Sequence, residues 1–311
     1  MFFLNFILIF VLSVNAAYAD GIEAHYKKIR HKTGSSYFKN IDQIYLINLD
    51  QRPEKLEHCK RELSPYGIYP QRFPAVYGWA LSTQTLNEIG LTFLPWMWRG
   101  RESVFYFPPD GAGRCDFVNL DESCVGKNFF SIWTSRGAIG CTLSHLSVLQ
   151  DAYNSGYETI WVMEDDISVR DNPHKLSDLI GKLDQLVGRE GWDILYTDYD
   201  AFINVDQSRD LLKQLPMMWR PDMPSFDLKG LLEHREVGED FVKIGSRHRA
   251  HSLILRRSGI EKILNFYKTH GIFTPYDHEM SLVPGIRFYV LKYQIVTSKE
   301  LCSDTKHKFF N

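Results

Sequence analysis

The chain has 311 residues, of which 44% are hydrophobic and 24% charged, and its 36 Lys plus Arg against 38 Asp plus Glu leave a formal net charge of −2. This length fits one large or two small domains at roughly 100–200 residues each, and the composition excludes a disordered chain, a coiled coil and a collagen. A near-neutral chain lacks the positive field that duplex nucleic acid requires, so no nucleic-acid partner is expected, whereas 14% aromatics suit a ligand-binding enzyme.

Phe2 to Val14 is apolar apart from Asn5 and Ser13, and Ala17-Tyr18-Ala19 has the small-x-small form of a signal-peptidase site. The run is short against the roughly 20 residues of a membrane-spanning helix. Residues 1–19 therefore read as a signal peptide or a weak membrane anchor, although no Lys or Arg precedes the apolar run. The chain is then exported or membrane-associated, with the cytoplasmic face of a membrane as the alternative. Residues 20–40 read as a polar tether, 41–300 as a single domain and 301–311 as a tail without a KDEL-type signal.

Ile44 to Leu49 is a short β-rich run, read as a buried strand. Pro53 suits the first turn of a helix carrying Leu56, Cys59 and Leu63, which Pro65 and Gly67 stop. Pro70 to Val76 reads as a second strand. Residues 80–135 are the least regular part, an insertion holding Trp96, Trp98, Trp133 and the Pro108-Pro109 pair, and read as a binding loop or a satellite apolar cluster. A helical period begins at Leu143 and ends near Gly156. Thr159 to Met163 is a strand, 176–187 an amphipathic helix and Asp193 to Thr197 another strand. Residues 202–240 read as loops with short helices. Ala250 to Leu255 is a strand, Ser258 is expected to cap the next helix, and Phe288 to Val296 is the last strand. This alternation implies an α/β fold with a mostly parallel central sheet.

Five cysteines, Cys59, Cys115, Cys124, Cys141 and Cys302, include no Cys-x-x-Cys pair. Cys115 and Cys124 are either bridged or ordinary thiols, and Cys141 reads as a packed small hydrophobe.

The strongest local signal is Glu164-Asp165-Asp166 directly after an apolar strand. Ligands of open α/β sheets bind beyond the carboxyl ends of the strands. Three adjacent acids repel one another unless a cation is present, and a hard divalent ion, Mn²⁺ or Mg²⁺, would balance them and a diphosphate together. Asp166, already in the loop, and Glu164 are the expected metal ligands. The plainer reading is a solvated acidic turn. Some twenty residues upstream, Gly137, Gly140, Ser144 and His145 stand at a loop-to-helix junction where backbone N–H groups could meet phosphate. His145 could donate to a ligand oxygen or be a buried structural histidine. The basic run Arg247 to His251 could meet a phosphate but reads more simply as a solvated loop, and Arg99 and Arg101 carry the same ambiguity.

Taken in order, Tyr45-Leu-Ile-Asn-Leu-Asp-Gln-Arg52-Pro, Ala75-Val-Tyr-Gly78, Gly140-Cys-Thr-Leu-Ser-His145, Val162-Met-Glu-Asp-Asp166, His251 to Gly259 and Pro275-Tyr-Asp277-His-Glu279 closely resemble glycosyltransferase family 25 over about residues 41–283. That family includes lipooligosaccharide galactosyltransferases and procollagen galactosyltransferases. The resemblance implies a GT-A-like nucleotide-sugar-binding fold and an inverting hexosyltransferase that moves galactose from UDP-galactose or a related UDP-sugar to a glycan, glycolipid or glycoprotein hydroxyl. It implies donor binding by Asn48, Arg52, Gly140, Ser144, His145 and Asp165, an acidic DxD-like motif at residues 164–166, and a late aspartate at Asp277. Inverting transfer needs a base for the acceptor hydroxyl. Asp277, Glu279 and Asp198 are the candidates, with Asp277 favoured; it could instead cap a helix over 278–283. Lys55 stands where the family carries a second arginine. The alternatives are a noncatalytic carbohydrate-binding member of the same fold and a hydrolase of nucleotide sugars or glycosides.

Overall fold

A computed structural model describes residues 21–32, 38–97, 103–108, 114–199, 219–223, 227–299 and 305. The apolar run at the start of the domain forms β1 (Gln43–Asn48), and Pro53 opens α1 (Pro53–Leu63) as its first residue. Next come β2 (Gln71–Pro74), α2 (Thr83–Ile89), and four short strands, β3 (Leu91–Thr92), β4 (Ser103–Tyr106), β5 (Asp116–Asn119) and β6 (Asn128–Ser131). The long helix α3 (Arg136–Asn154) leads to β7 (Thr159–Glu164), β8 (Ile167–Val169), α4 (Lys175–Val187) and β9 (Ile194–Tyr196). The rest comprises α5 (Leu228–Leu231), β10 (His234–Val237), β11 (Phe241–Ile244), β12 (Ser252–Arg256), α6 (Arg257–His270), α7 (Tyr276–Met280), β13 (Phe288–Leu291) and β14 (Val296–Ser298).

The central sheet has the order β10-β11-β13-β9-β12-β7-β1-β2. β2, β1, β7, β9, β13 and β10 run one way, and only β12 and β11 run against them. The mostly parallel α/β sheet expected from the sequence is therefore present, with β12 inserted antiparallel between β7 and β9. Side chains alternate across β1. Tyr45 and Ile47 join the apolar layer beneath α3 and α6, with Leu143, Leu146, Ile260 and Ile263. Ile44 and Leu46 join the opposite layer beneath α1 and α4, with Cys59, Leu63, Ile180 and Leu183. Both faces are covered, as a largely parallel sheet demands.

The structure corrects several local expectations. The segment 80–135 is not simply irregular: it carries α2 and an antiparallel sheet of order β3-β6-β4-β5 over a small core of Leu91, Phe93, Val104 and Phe129. Short two- to four-residue strands carry too little alternation to be seen in sequence. β10 and β11 were hidden for the same reason. The last predicted strand is two strands, since β13 stays in the central sheet while β14 turns away to pair with β8. Helix α6 begins at Arg257 with Arg256 as N-cap, and Ser258 instead donates to Asp193 Oδ1 at 2.7 Å. Residues 21–32 pack on the domain, with Ile22 and Tyr26 buried and the Lys27 N–H on Ser147 Oγ at 2.9 Å. Cys115 and Cys124 are free thiols. Residues 1–20, the Trp98, Arg99 and Arg101 positions and Cys302 lie outside the described residues. Among the described residues no helix is long and apolar enough to cross a membrane.

The close approach made possible by glycine is internal. A Cβ on Gly140 would stand 2.5 Å from the Gly78 nitrogen and 2.6 Å from the Val76 carbonyl oxygen. Two glycines thus let the second turn of α3 lie directly on the chain leaving β2. Ser144 reinforces the junction, accepting from the Val76 N–H at 2.8 Å and donating to the Gly140 carbonyl at 2.6 Å. Gly140→Ala is expected to lower stability by about 1–3 kcal/mol or more, because backbone atoms cannot move aside. Gly181→Ala, in α4 with its nearest neighbour at 3.9 Å, is expected to raise it by roughly 0.5–1 kcal/mol. Urea denaturation of the two variants checks both signs.

Candidate active site

β1, β2 and β7 end side by side, and their carboxyl ends with the flank of α3 enclose a pocket. Asn48, Lys55, Ser144, His145, Glu164, Asp165 and Asp166 line it, together with Cys141, Gly137 and the Ala75–Trp79 segment. Most of the residues expected to bind a donor or a metal are thus brought together by the parallel strand ends.

Each acid of the triplet meets a different surrounding. Asp165 Oδ2 accepts from Asn48 Nδ2 at 2.8 Å, and Asp165 Oδ1 lies 3.7 Å from Lys55 Nζ. Asn48 is itself fixed, since Nδ2 also donates to the Arg52 carbonyl at 2.9 Å and Oδ1 accepts from Arg72 Nε at 3.0 Å. Glu164 Oε1 accepts from His145 Nε2 at 2.9 Å, with Cys141 Sγ at 3.7 Å. Burial pushes the Glu164 carboxyl up, but the hydrogen bond and charge of His145 outweigh it and hold the group below its ordinary value. Asp166 has a buried Oδ1 with no hydrogen-bond partner. Burial, then the charges of Glu164 and Asp165, push its carboxyl up to about 7, against the opposing pull of His251 and Lys55. The triplet is no solvated turn.

His145 is buried and its ring stacks on Tyr276 at 4.4 Å with an interplanar angle of 15°. It meets Glu164 at the pocket wall and ties α3 to α7, which carries Asp277. Gly140 and Ser144 hold the backbone, as described above. The Arg52 side chain reaches Glu54, with N···O 3.4 Å, and its carbonyl accepts from Asn48 in the site. The cation that lines the pocket is Lys55, which sequence reading left without a role. Its signal was there: Lys55, Cys59 and Leu63 recur every fourth residue and form the buried stripe of α1. A lysine on an otherwise apolar inward stripe needs a partner, and Asp165 is that partner.

The three candidate bases separate by surroundings. Glu279 is fully buried, accepts from the N–H groups of Phe273 and Thr274 at 2.9 Å each, and pairs with Arg220. Burial keeps its carboxyl above the ordinary value. It shapes the loop before α7 and does not reach the pocket. Asp198 is buried too, accepting from His251 Nε2 at 3.0 Å, Thr297 Oγ1 at 2.7 Å and Arg247 at 2.5 Å. The run Arg247 to His251 is thus not a solvated loop, for Arg247 and His251 are buried against Asp198 at the end of β9. The His251 carbonyl in turn accepts from the Glu164 N–H at 2.9 Å, so this ionic cluster sits directly under the triplet. Asp277 is the second residue of α7, with Pro275 as N-cap, so it is not itself the cap of a helix over 278–283. Its Oδ2 accepts from the Arg249 N–H at 2.7 Å, its side chain is 23% exposed, and its charge reaches Cys141 in the pocket wall. Of the three, Asp277 alone combines solvent access with proximity to the site.

The family model "Glycosyltransferase family 25 (LPS biosynthesis protein)" matches residues 41–280. A Drosophila melanogaster protein named "Glycosyltransferase 25 family member" is 28% identical over 172 residues, 55% of this chain and 23% of that protein. "Procollagen galactosyltransferase 1-B" of Xenopus laevis is 25% identical over 158 residues, 50% of this chain and 21% of its own length. "Inactive glycosyltransferase 25 family member 3" of Homo sapiens is 24% identical over 161 residues, again 50% and 21%. The matched region spans only about a fifth of each of these relatives.

The Asp198 cluster sets a pH dependence. Burial works against the Asp198 charge, but the hydrogen bond of His251 and the charge of Arg247 hold its pKa at about 2, below the ordinary 3.8. A lowered carboxyl pKa gives stabilisation that is complete above about pH 4 and is lost as pH falls toward 2, here about 2 kcal/mol. Asp198→Asn also leaves Arg247 buried without its counter-charge, a loss of roughly 3–5 kcal/mol at neutral pH. Urea unfolding from pH 6 to pH 2 is expected to show the variant losing less stability on acidification than the parent; equal slopes would contradict this assignment.

Proposed function

Because this chain belongs to glycosyltransferase family 25, we propose that it is an inverting hexosyltransferase. In this reading it moves galactose from UDP-galactose, or a related hexose from its UDP-sugar, to a hydroxyl of a glycan, glycolipid or glycoprotein, as in lipopolysaccharide and lipooligosaccharide biosynthesis. The observation that carries it is the pocket at the carboxyl end of β7, where Asn48, Lys55 and three acids converge and one acid oxygen, Asp166 Oδ1, is buried without a donor. The apolar N-terminus fits an exported or membrane-associated enzyme.

The site's chemistry suits a hard divalent cation, Mn²⁺ or Mg²⁺. Its acids offer oxygen ligands, and the unmatched Asp166 Oδ1 is buried beside Glu164 and Asp165, so that burial and those two charges push its carboxyl up to about 7. Asp166 and Glu164 would hold the ion. When bound, it supplies positive charge to the departing diphosphate.

The chain's own residues do the rest. Asn48 and Lys55 orient Asp165 toward the donor, and the Lys55 ammonium adds positive charge where the leaving group develops negative charge. His145 fixes Glu164. Asp277, held at Oδ2 by the Arg249 N–H, takes the proton of the acceptor hydroxyl as that oxygen attacks the anomeric carbon. The transition state has oxocarbenium character, as in glycoside hydrolysis. All four acids, Glu164, Asp165, Asp166 and Asp277, stand in this chain, which supports an enzyme over a noncatalytic member of the fold.

Calorimetry of the protein with UDP-galactose and UDP-glucose tests the donor side. Binding is expected with Mn²⁺, and Asp166→Ala is expected to abolish it. Asp277→Asn is expected to keep donor binding and lower kcat by about 10²–10⁴-fold. Donor binding without transfer to any glycan would favour a noncatalytic protein, the class to which the name of the human relative points. Release of free hexose without an acceptor would mark a hydrolase.

A further inference from the structure

Next to the pocket, but outside its lining, three metal-ligand side chains converge from two parts of the chain. His248 lies on the loop entering β12, and Asp277 and His278 lie in α7. His248 Nδ1 is 3.1 Å from His278 Nε2, which is 3.9 Å from Asp277 Oδ1. One ligand atom from each residue falls within 4.8 Å of the other two. We propose that His248, Asp277 and His278 form a second binding site, for a divalent transition metal of the zinc class.

The donor set is the first argument. Two imidazoles and one carboxylate suit Zn²⁺ or Co²⁺. Zinc bonds of about 2.0–2.2 Å place neighbouring ligand atoms roughly 3.3–3.5 Å apart, a separation that the 3.1 and 3.9 Å spacings at His278 Nε2 bracket. The imidazole rings meet at 69° with centroids 4.3 Å apart, so their nitrogens face one another at ring edges rather than lying in a stack.

The framework around the carboxylate is the second argument. Arg249 has φ +72°, a left-handed conformation that costs energy for a residue with a side chain. That conformation accompanies a backbone N–H that grips Asp277 Oδ2 at 2.7 Å, while Oδ1 is the oxygen nearer His278. This is the kind of outer contact that orients a ligating carboxylate. His278 is 9% exposed, and its far nitrogen, Nδ1, is buried with no hydrogen-bond partner, so the hydrogen bonds of the ring lie on the side facing His248.

The site differs in chemistry from the acid triplet. Oxygen ligands at β7 favour Mn²⁺ or Mg²⁺, whereas imidazoles favour Zn²⁺ or Co²⁺. The inference therefore goes beyond the transferase reading and can fail without it. One consequence does rest on that reading: a metal on Asp277 Oδ1 takes the lone pair a base needs, so Zn²⁺ slows transfer.

The test uses the chelator-treated full chain, titrated with Zn²⁺ by calorimetry and with Co²⁺ by visible ligand-field absorption. One equivalent of either metal is expected to bind. Affinity is expected to fall on the order of 100-fold or more in His248→Ala and in His278→Ala, and to persist in Asp166→Ala. No binding, binding indifferent to both histidine variants, or binding lost in Asp166→Ala would each overturn the proposal. If the histidine variants do not fold, chemical modification of the unaltered protein by diethyl pyrocarbonate decides. Zn²⁺ is expected to protect His248 and His278, and undiminished labelling of both would overturn the site.

Discussion

Three consecutive carboxylates at the end of one strand repel one another, and the surrounding residues are arranged around that constraint. Two of the acids are balanced from different directions. Asn48 and Lys55 reach Asp165 from β1 and α1, His145 reaches Glu164 from α3, and Asp166 keeps one buried oxygen unmatched. Beneath them, Asp198 is neutralised by Arg247 and held by His251, whose carbonyl fixes the β7 backbone at Glu164. Glu164, Asp165 and Asp198 thus each have a hydrogen-bonding or cationic neighbour, while Asp166, in the pocket lining, keeps one buried oxygen unmatched. Carboxyls pushed toward neutrality by burial and like charges cluster at active sites.

The support for this arrangement is steric as much as electrostatic. Gly78 and Gly140 let α3 press against the chain that leaves β2, which brings Cys141, Ser144 and His145 to the pocket wall. The stack of His145 on Tyr276 then passes the position of α3 to α7 and so to Asp277. Acids on β7, a histidine on α3 and an aspartate on α7 therefore share one rigid frame. Catalytic groups need this precision, because small displacements weaken both proton transfer and electrostatic stabilisation.

Much of this was legible along the chain. Pro53 marks the start of α1, the apolar runs mark β1, β7, β9 and β12, and the acid triplet follows an apolar run that forms a strand. Roles were less legible than places. Gly140 and Ser144 lie where a donor-binding loop was expected, yet their contacts are with the backbone of Val76 and Gly78, partners some sixty residues away in sequence. Lys55 enters the pocket wall because the helical phase of α1 turns it inward, while Arg52, the residue before α1, reaches Glu54.

The sequence by itself determined what is local: the alternation of strands and helices, the acidic strand end, and the ordered motifs of the family. These rest on periodicity, turn residues and adjacency, all of which operate within a few positions of one another. Only the tertiary structure decided which carboxylate is sealed and which is open. Asp198, Asp277 and Glu279 are the same kind of group in sequence. Asp198 and Glu279 are closed off by Arg247 and Arg220, far along the chain, while Asp277 meets solvent and two histidines. A carboxylate's proton affinity follows from the charges and water around it, and those neighbours are assembled only when the chain folds.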